Sequence, residues 1–407
     1  MRKHGVDEPL AERVFDMVKG FSGFGFPKAH GAAFGLLAYQ STWLRVHYGP
    51  EFLCGLLNEQ PMGFYPPDAL VHEAQRRGME VAPPDVNESG LECEIEVDPA
   101  RPGSHRIRIG LGYVRGVRAH EIEELVAARE RAGRFRSLAD LASRAGSGAP
   151  ALALLAWSGA CDALAGGAAG DRSRARRTAL WQLGVMTPGR RVPGGTQLAL
   201  PLDLPAPPAL AQLSEWERML ADYGTTGLTT QTHPMALLRE RLGPRAVSSR
   251  DLRRLDHRRR VRFGGLVVAR QRPGTASGIV FILLEDEFGT VNLVVPPKVY
   301  ERHRLVVRTE PLMVVEGTLE RVAAAGGAID VLVETIGSID APDRMVAEIK
   351  DFSLLDEAVR RGHEEQQAAV AAAGGGGGGI GPWPAGEAED FRAVAPPVMS
   401  FASGRRR

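Results

Sequence analysis

Phe21-Ser22-Gly23-Phe24-Gly25-Phe26-Pro27-Lys28-Ala29-His30-Gly31-Ala32-Ala33-Phe34, followed shortly by Tyr39-Gln40-Ser41-Thr42-Trp43-Leu44, is the stretch on which the reading of this chain turns. A turn rich in glycine and aromatic residues delivers a lysine and a histidine to the start of a helix. That helix opens with Ala and Gly, so nothing bulky covers its first amides. Free N–H groups, the positive end of the helix dipole and the side chains of Lys28 and His30 together form an anion site. The same residues also suit an ordinary loop entering a buried helix, with His30 as a backbone cap.

Upstream, residues 1–20 read as a helix, with Leu10, Val14, Met17 and Val18 on one face and Gly20 as its stop. Downstream, an apolar helix from about Ala32 to Tyr48 breaks at Gly49-Pro50. A short apolar helix covers Glu51–Asn58 and a turn covers Pro61–Pro67. Residues 68–79 are amphipathic, with Leu70, Val71, Ala74 and Met79 inward and Arg76 and Arg77 outward. Leu91–Val97 alternates like a half-buried strand, and its Glu92, Glu94 and Glu96 read as a solvated face rather than a metal site.

Ile107–Val117 is a short strand running into a Gly-rich turn (Gly110-Leu111-Gly112-Tyr113-Val114-Arg115-Gly116) and then a helix over about His120–Arg131. Apolar-Gly-x-Gly turns between short helices are the form of helix-hairpin-helix units, whose amides hold DNA phosphates without reading sequence. Leu154–Leu164 has the rhythm of a second unit. A Gly/Ala linker follows at 165–170, and Pro188–Pro208 is proline-rich. Within it, Gln197-Leu198-Ala199-Leu200-Pro201-Leu202 is an anchor-type peptide: glutamine offers a polar hook and the leucines fill an apolar groove. Beyond Arg250–Arg272, which holds nine Arg against Asp251 and Asp256, five strands are expected. They cover Val261–Ala269, Ile279–Glu285, Thr290–Val295, Leu312–Arg321 and Ala328–Ile336, with a helix at Pro297–Leu305 between the third and fourth. This is the OB-fold plan, and its basic first loop, Arg270–Gly278, sits where such barrels touch single strands. Glu285-Asp286-Glu287 reads as a turn at a strand end. After Ala341 the apolar pattern is lost and Gly374–Gly379 is polyglycine, so this tail is expected to be mostly disordered, apart from a transient helix at about Val346–Arg361.

The 407 residues suffice for several domains, and 44% hydrophobic with 24% charged content is that of a soluble globular protein. No apolar run reaches membrane-spanning length, no signal-peptide pattern opens the chain, and Cys54, Cys93 and Cys161 form no CxxC. No membrane partner, disulfide framework or cysteine zinc site is therefore expected, and a cytoplasmic location is. Only five of the 50 basic residues are lysines, which weakens Arg clusters as evidence for nucleic acid and makes Lys28 stand out.

The words Gly-Phe-Pro-Lys-x-His, Tyr-Gln-x-x-Trp-Leu-x-x-His-Tyr, Glu-Phe and Leu-Leu-Asn resemble the bacterial C-family DNA polymerase, the DNA polymerase III alpha subunit. Gln60-Pro61-Met62-Gly63-Phe64-Tyr65 is closest to its error-prone branch. The resemblance covers roughly residues 1–340 and implies a multidomain α + β protein. Its parts would be the C-terminal part of the fingers (1–87), a helix-hairpin-helix DNA-binding region (88–185), a Pro-rich linker with a clamp-binding-like peptide (186–212), a helical connector (213–258), an OB-fold domain (259–340) and a mostly disordered tail (341–407).

The resemblance also implies roles. Lys28 and His30 would face the incoming deoxynucleoside triphosphate or the primer-template. Gly110, Gly112, Arg115 and Gly116 would lie on the duplex backbone, and Arg262, Arg270 and Arg272 on single-stranded template. Gln197, Leu198, Leu200 and Leu202 would enter a sliding-clamp groove, where the family peptide often ends in Phe rather than Leu202. Polymerase chemistry needs Mg²⁺ ions on a carboxylate cluster in the palm. This sequence has no Asp-x-Asp and no palm, so no catalytic or metal-binding residue is expected in it, and the chain alone is expected to be inactive. The functional expectation is the C-terminal portion of a DNA-directed DNA polymerase for replication and repair, working with a missing N-terminal half. The alternative is a non-catalytic DNA- and clamp-binding module or a remnant fragment.

Overall fold

The computed structural model describes the chain outside residues 1–6, 24–27, 63–64, 99–100, 102–103, 167–171, 187–189, 193–194, 198–206, 274–275, 323–327, 340–393, 396–398 and 403–407. It forms two compact units, residues 1–53 and 54–407. In the first, α1 (Glu8–Gly23) continues past Gly20, the expected stop, and α2 (Lys28–His47) follows. Leu10, expected on the inward face of α1, is exposed. Along α2, Phe34, Leu36, Leu37, Tyr39, Trp43, Leu44 and Val46 are all exposed, Tyr39 at 68%. These positions run round the helix, so no single inward face accounts for its apolar composition. A third helix, α3 (Gly49–Asn58), spans the boundary between the units.

In the second unit, α4 (Pro67–Arg76) starts on a proline in its first turn and buries Asp68, Val71, His72 and Ala74. A small sheet follows, with β1 (Val81–Ala82) parallel to β3 (His105–Arg108) and β2 (Glu94–Val97) antiparallel to it. The expected strand at 91–97 is shorter than its alternation suggested, because Leu91 and Cys93 turn their carbonyls to Gly112 N and the Asn58 side chain. The Glu96 face is not simply solvated: its carboxylate accepts from Arg106 and Arg108.

Four helices then pack together: α5 (Ala119–Ala132), α6 (Leu138–Arg144), α7 (Ala149–Trp157) and α8 (Arg172–Val185). Leu111, Val114, Ile122, Leu125, Phe135, Leu141, Leu152 and Leu155 form their shared core, each at most 2% exposed. Ser137 caps α6 by accepting from Asp140 N at 3.1 Å. A hairpin, β4 (Arg190–Val192) with β5 (Gly195–Gln197), precedes α9 (Glu215–Thr226). The latter has a Ser214/Glu217 capping box at its start and left-handed Gly227 at its end. Next come α10 (Pro234–Leu238), β6 (Ala246–Val247) and α11 (Ser249–Leu252).

The barrel is built as the sequence implied. Strands β7 (Arg260–Arg272), β8 (Val280–Asp286) and β9 (Gly289–Val295) form an antiparallel meander. Helices α12 (Pro297–Arg302) and α13 (Arg304–Thr309) intervene before β10 (Leu312–Val322) and β11 (Ala328–Ser338). Closure comes from β10 antiparallel to β7 and β11 parallel to β9. In β9 the alternation is clean, with Val291, Leu293 and Val295 buried and Thr290 and Asn292 exposed. Most of the tail lies outside the described residues, including the candidate helix at 346–361. Within it, Val394 is buried and β12 (Met399–Ala402) pairs in parallel with Ala269–Arg272 of β7.

Candidate nucleic-acid interface

The first hairpin shows what its glycines do. Leu111 N donates to Gly90 O and Gly112 N to Leu91 O, both at 2.9 Å, so those amides are used inside the protein. A Cβ on Gly110 would overlap Leu91 O and the Glu92 backbone, and one on Gly112 would lie 2.7 Å from Leu91 O. Both glycines therefore serve close backbone packing. Gly116 differs. Its φ is +84°, and its amide donates to no acceptor among the described residues. It lies just before the first turn of α5, where Glu121 N already donates to Arg118 O at 3.0 Å. Gly116 is thus the glycine of this hairpin whose amide is not used within the described residues. Glu121 brings a carboxylate to the same turn, accepting from Arg118 N.

Arg115 donates its amide to Thr225 O at 2.8 Å, and its guanidinium rests against Gly227. It joins the hairpin to the end of α9. The second hairpin turns at Gly159, φ +85°, against which buried Arg176 packs. Arg176 pairs with Asp222 at 2.8 Å and Asp162 at 3.8 Å.

On the barrel, Arg262 stands opposite Glu316 across the β7–β10 ladder and pairs with it at 2.9 Å. Arg270 donates to the Glu310 carbonyl, and burial pulls its pKa down to about 10. Exposed Arg272 lies 4.8 Å from the Tyr300 ring centroid, so a cation and an aromatic share one spot beside the first loop. In the first unit, Lys28 begins α2, and exposed His30 lies against Phe34, the ring centroids 4.4 Å apart and the planes tilted by 57°. Gln197 ends β5, while Leu198, Leu200 and Leu202 fall outside the described residues.

The densest polar cluster is one the sequence did not announce. Arg76, expected to point outward, reaches Glu285 Oε1 at 2.5 Å. The Glu285 carboxylate, expected in a turn, is 1% exposed at the end of β8. Its Oε2 accepts from His72 Nδ1 at 3.2 Å and lies 3.9 Å from His233 Nε2. His72 Nε2 lies 3.5 Å from Asp68 Oδ1, and Asp68 is held by Tyr223 OH at 2.9 Å and Thr229 N at 3.2 Å.

Burial raises the Asp68 pKa to about 6. For His72, burial favours the neutral ring, but Asp68 and Glu285 outweigh it and raise its pKa. Burial resists ionisation of Glu285, yet the hydrogen bond from His72 and the charges of His72 and His233 hold it well below the usual carboxylate range. His233 is lowered by burial and by neighbouring His72.

His72, His233 and Glu285 could offer three ligand atoms within 4.8 Å of one another. However, His233 Nδ1 accepts the Met235 amide at 3.0 Å, which puts the neutral ring's proton on Nε2, the atom a metal would need. The trio is therefore a hydrogen-bonded charge cluster. Nor do the neighbouring carboxylates suit Mg²⁺. Asp286 accepts from Ser249 N and Oγ, Phe288 N, Gly289 N and Arg239, and Glu287 is held by Arg239 at 2.9 and 2.6 Å. Every oxygen has an internal donor, and the donors are those of a folded junction. A signal for this cluster existed: Asp68 and His72 lie four residues apart on the buried side of α4.

Residues 78–174 match the helix-hairpin-helix motif family. The helix-hairpin-helix region is followed in the same chain by a closed five-strand barrel, the two modules whose class is found in nucleic-acid-handling proteins. The "Error-prone DNA polymerase" of Pseudomonas fluorescens (strain Pf-5) is 43% identical over 329 residues, covering 79% of this chain and 31% of the relative. Those of Anaeromyxobacter dehalogenans (strain 2CP-1) and Burkholderia pseudomallei (strain K96243) are 42% and 43% identical over 86% and 78% of this chain. They are covered over 30% and 29% of their own lengths. The chain belongs to this error-prone branch of the bacterial C-family DNA polymerases, and it spans about 30% of the length of the relatives it matches. Among solved structures, asparaginyl-tRNA synthetase from Pyrococcus horikoshii aligns with 24% of this chain and 23% of its own, at 26% identity and a TM-score of 0.20. No helix among the described residues is long and apolar enough to cross a membrane.

Proposed function

We propose that this chain is the primer-template-holding portion of an error-prone DNA polymerase and acts together with polypeptide that supplies the palm carboxylates. The observation that carries this reading is the 43% identity to error-prone DNA polymerases over 79% of the chain. The apolar side chains exposed around α2 support the need for further polypeptide, since a helix hydrophobic on every side is ordinarily buried. In this reading, Gly116 and the start of α5 hold a duplex phosphate, and Arg272 with Tyr300 meets single-stranded template. Lys28 and His30 face the triphosphate. The 197–202 peptide engages a sliding clamp.

The test is primer extension with Mg²⁺ and all four deoxynucleotides. Pure chain should extend nothing. Addition of the palm-bearing part of a relative should restore synthesis, and Lys28→Ala should slow it by removing positive charge where phosphate charge develops. Extension by the pure chain would refute the division of labour. DNA binding without any rescue would favour a non-catalytic DNA- and clamp-binding module.

A further inference from the structure

One edge of β7 has two successive partners. Residues 260–266 pair with β10, whose register ends at Leu266↔Leu312. The opposite edge is taken by β8 over 266–271. Beyond Val267, whose N–H donates to Pro311 O at 2.8 Å, the first edge would present unpaired N–H and C=O groups next to the mouth of the first barrel loop. β12 fills it in parallel, with Met399 opposite Ala269, Ser400 opposite Arg270, Phe401 opposite Gln271 and Ala402 opposite Arg272. A second point of the tail is independently fixed. Val394 is 3% exposed in the cluster that contains Leu238, Leu242, Leu266 and Leu312. A tail whose composition promises no structure thus holds the barrel at two places. The place it covers carries Arg270 and Arg272, with Tyr300 under the Arg272 guanidinium.

We propose that Met399–Ala402 is a displaceable strap over the barrel's single-strand seat, which must leave β7 for single-stranded DNA to track Arg270 and Arg272. The inference rests on the DNA-binding reading above. A strand at ladder spacing, about 4.8 Å from the β7 backbone, lies in the path of any polymer following those two arginines along that edge. Four residues form a short ladder, and it lies outside the five strands that close the barrel.

The experiment compares binding of a labelled oligothymidylate to the full chain and to a Ser400→Pro/Phe401→Pro variant. In a parallel ladder alternate residues donate, so replacing two neighbours removes whichever N–H is used. The basic Arg405–Arg407 remain in place. The variant should bind roughly fivefold more tightly, the weight of about one ladder hydrogen bond. Equal or weaker binding overturns the strap. The unmodified chain gives a second measurement. Amide exchange at 399–402 should accelerate when the oligonucleotide is added, and unchanged or slowed exchange also overturns it. Absence of oligonucleotide binding by either protein would instead refute the DNA reading together with the strap.

Discussion

The guanidinium of Arg76 on α4 lies 2.5 Å from the carboxylate of Glu285 at the end of β8, across 209 positions of sequence. The pair is the visible edge of a buried cluster that also holds His72, Asp68 and His233. It fastens the helix preceding the hairpin region to the barrel. Removing Glu285 leaves His72 and Arg76 without their shared acceptor. Glu285→Ala is therefore expected to cost about 3–5 kcal/mol in denaturant unfolding. Glu73→Ala removes a 44%-exposed partner of the same Arg76 and should cost less than about 1 kcal/mol. Similar losses in the two variants would mean that the buried side of Arg76 contributes no more than its solvent side.

The cluster also sets a pH dependence. His72 has its pKa raised in the fold, so its contribution is complete below its ordinary value of 6.5 and is lost as pH rises through the folded value. Asp68, raised from 3.8 to about 6, acts in the same direction, its contribution being lost as pH rises toward and through 6. His233 and Glu285 are lowered, so their contributions are lost on the acid side. Thermal stability should therefore fall as pH rises above 6.5, and His72→Gln should flatten that fall. A His72→Gln protein whose melting temperature follows the wild-type pH curve would contradict this assignment.

Gly110 and Gly116 separate packing from binding. A methyl at Gly110 meets the Leu91 carbonyl, and overpacking against backbone costs about 1–3 kcal/mol. Gly110→Ala should lower stability while leaving DNA affinity of the folded protein unchanged. Gly116→Ala strains a left-handed residue by roughly 1–2 kcal/mol and should also weaken duplex binding. Duplex affinity reduced by Gly110→Ala and untouched by Gly116→Ala would reverse the two roles.

Duplex binding through phosphates carries a salt signature. Its logarithm should fall linearly with the logarithm of salt concentration, with a slope of about −0.9 per phosphate contacted. Deletion of Gln197–Leu202 should leave that slope intact and abolish capture by an immobilised sliding clamp. Undiminished capture by the deletion would remove the peptide from consideration.

The barrel was legible because its information is local. Val291, Leu293 and Val295 alternate with exposed neighbours, and Pro297 starts the intervening helix, so strand and helix boundaries fell close to their observed positions. The hairpin region was legible as a pattern but ambiguous in purpose. A Gly-x-Gly spelled for backbone packing is identical to one spelled for phosphate, and only the Leu91 carbonyl tells them apart. The charge cluster was legible only in the Asp68/His72 spacing on α4, for the opposite reason. Its members come from α4, the His233 cap and β8, and each alone looks like an ordinary surface residue. The sequence implies their pairing only once the barrel is placed beside α4.

The shared strand β7 has a consequence for how the protein is made. The meander β7–β8–β9 can form as soon as it leaves the ribosome, since each pairing is between neighbours. The Arg260–Leu266 edge must then wait for β10, which is synthesised after two further helices. Closing that loop is a non-local pairing, intrinsically slower than the hairpins of the meander. Until it happens, a half-built barrel presents a template to other nascent chains.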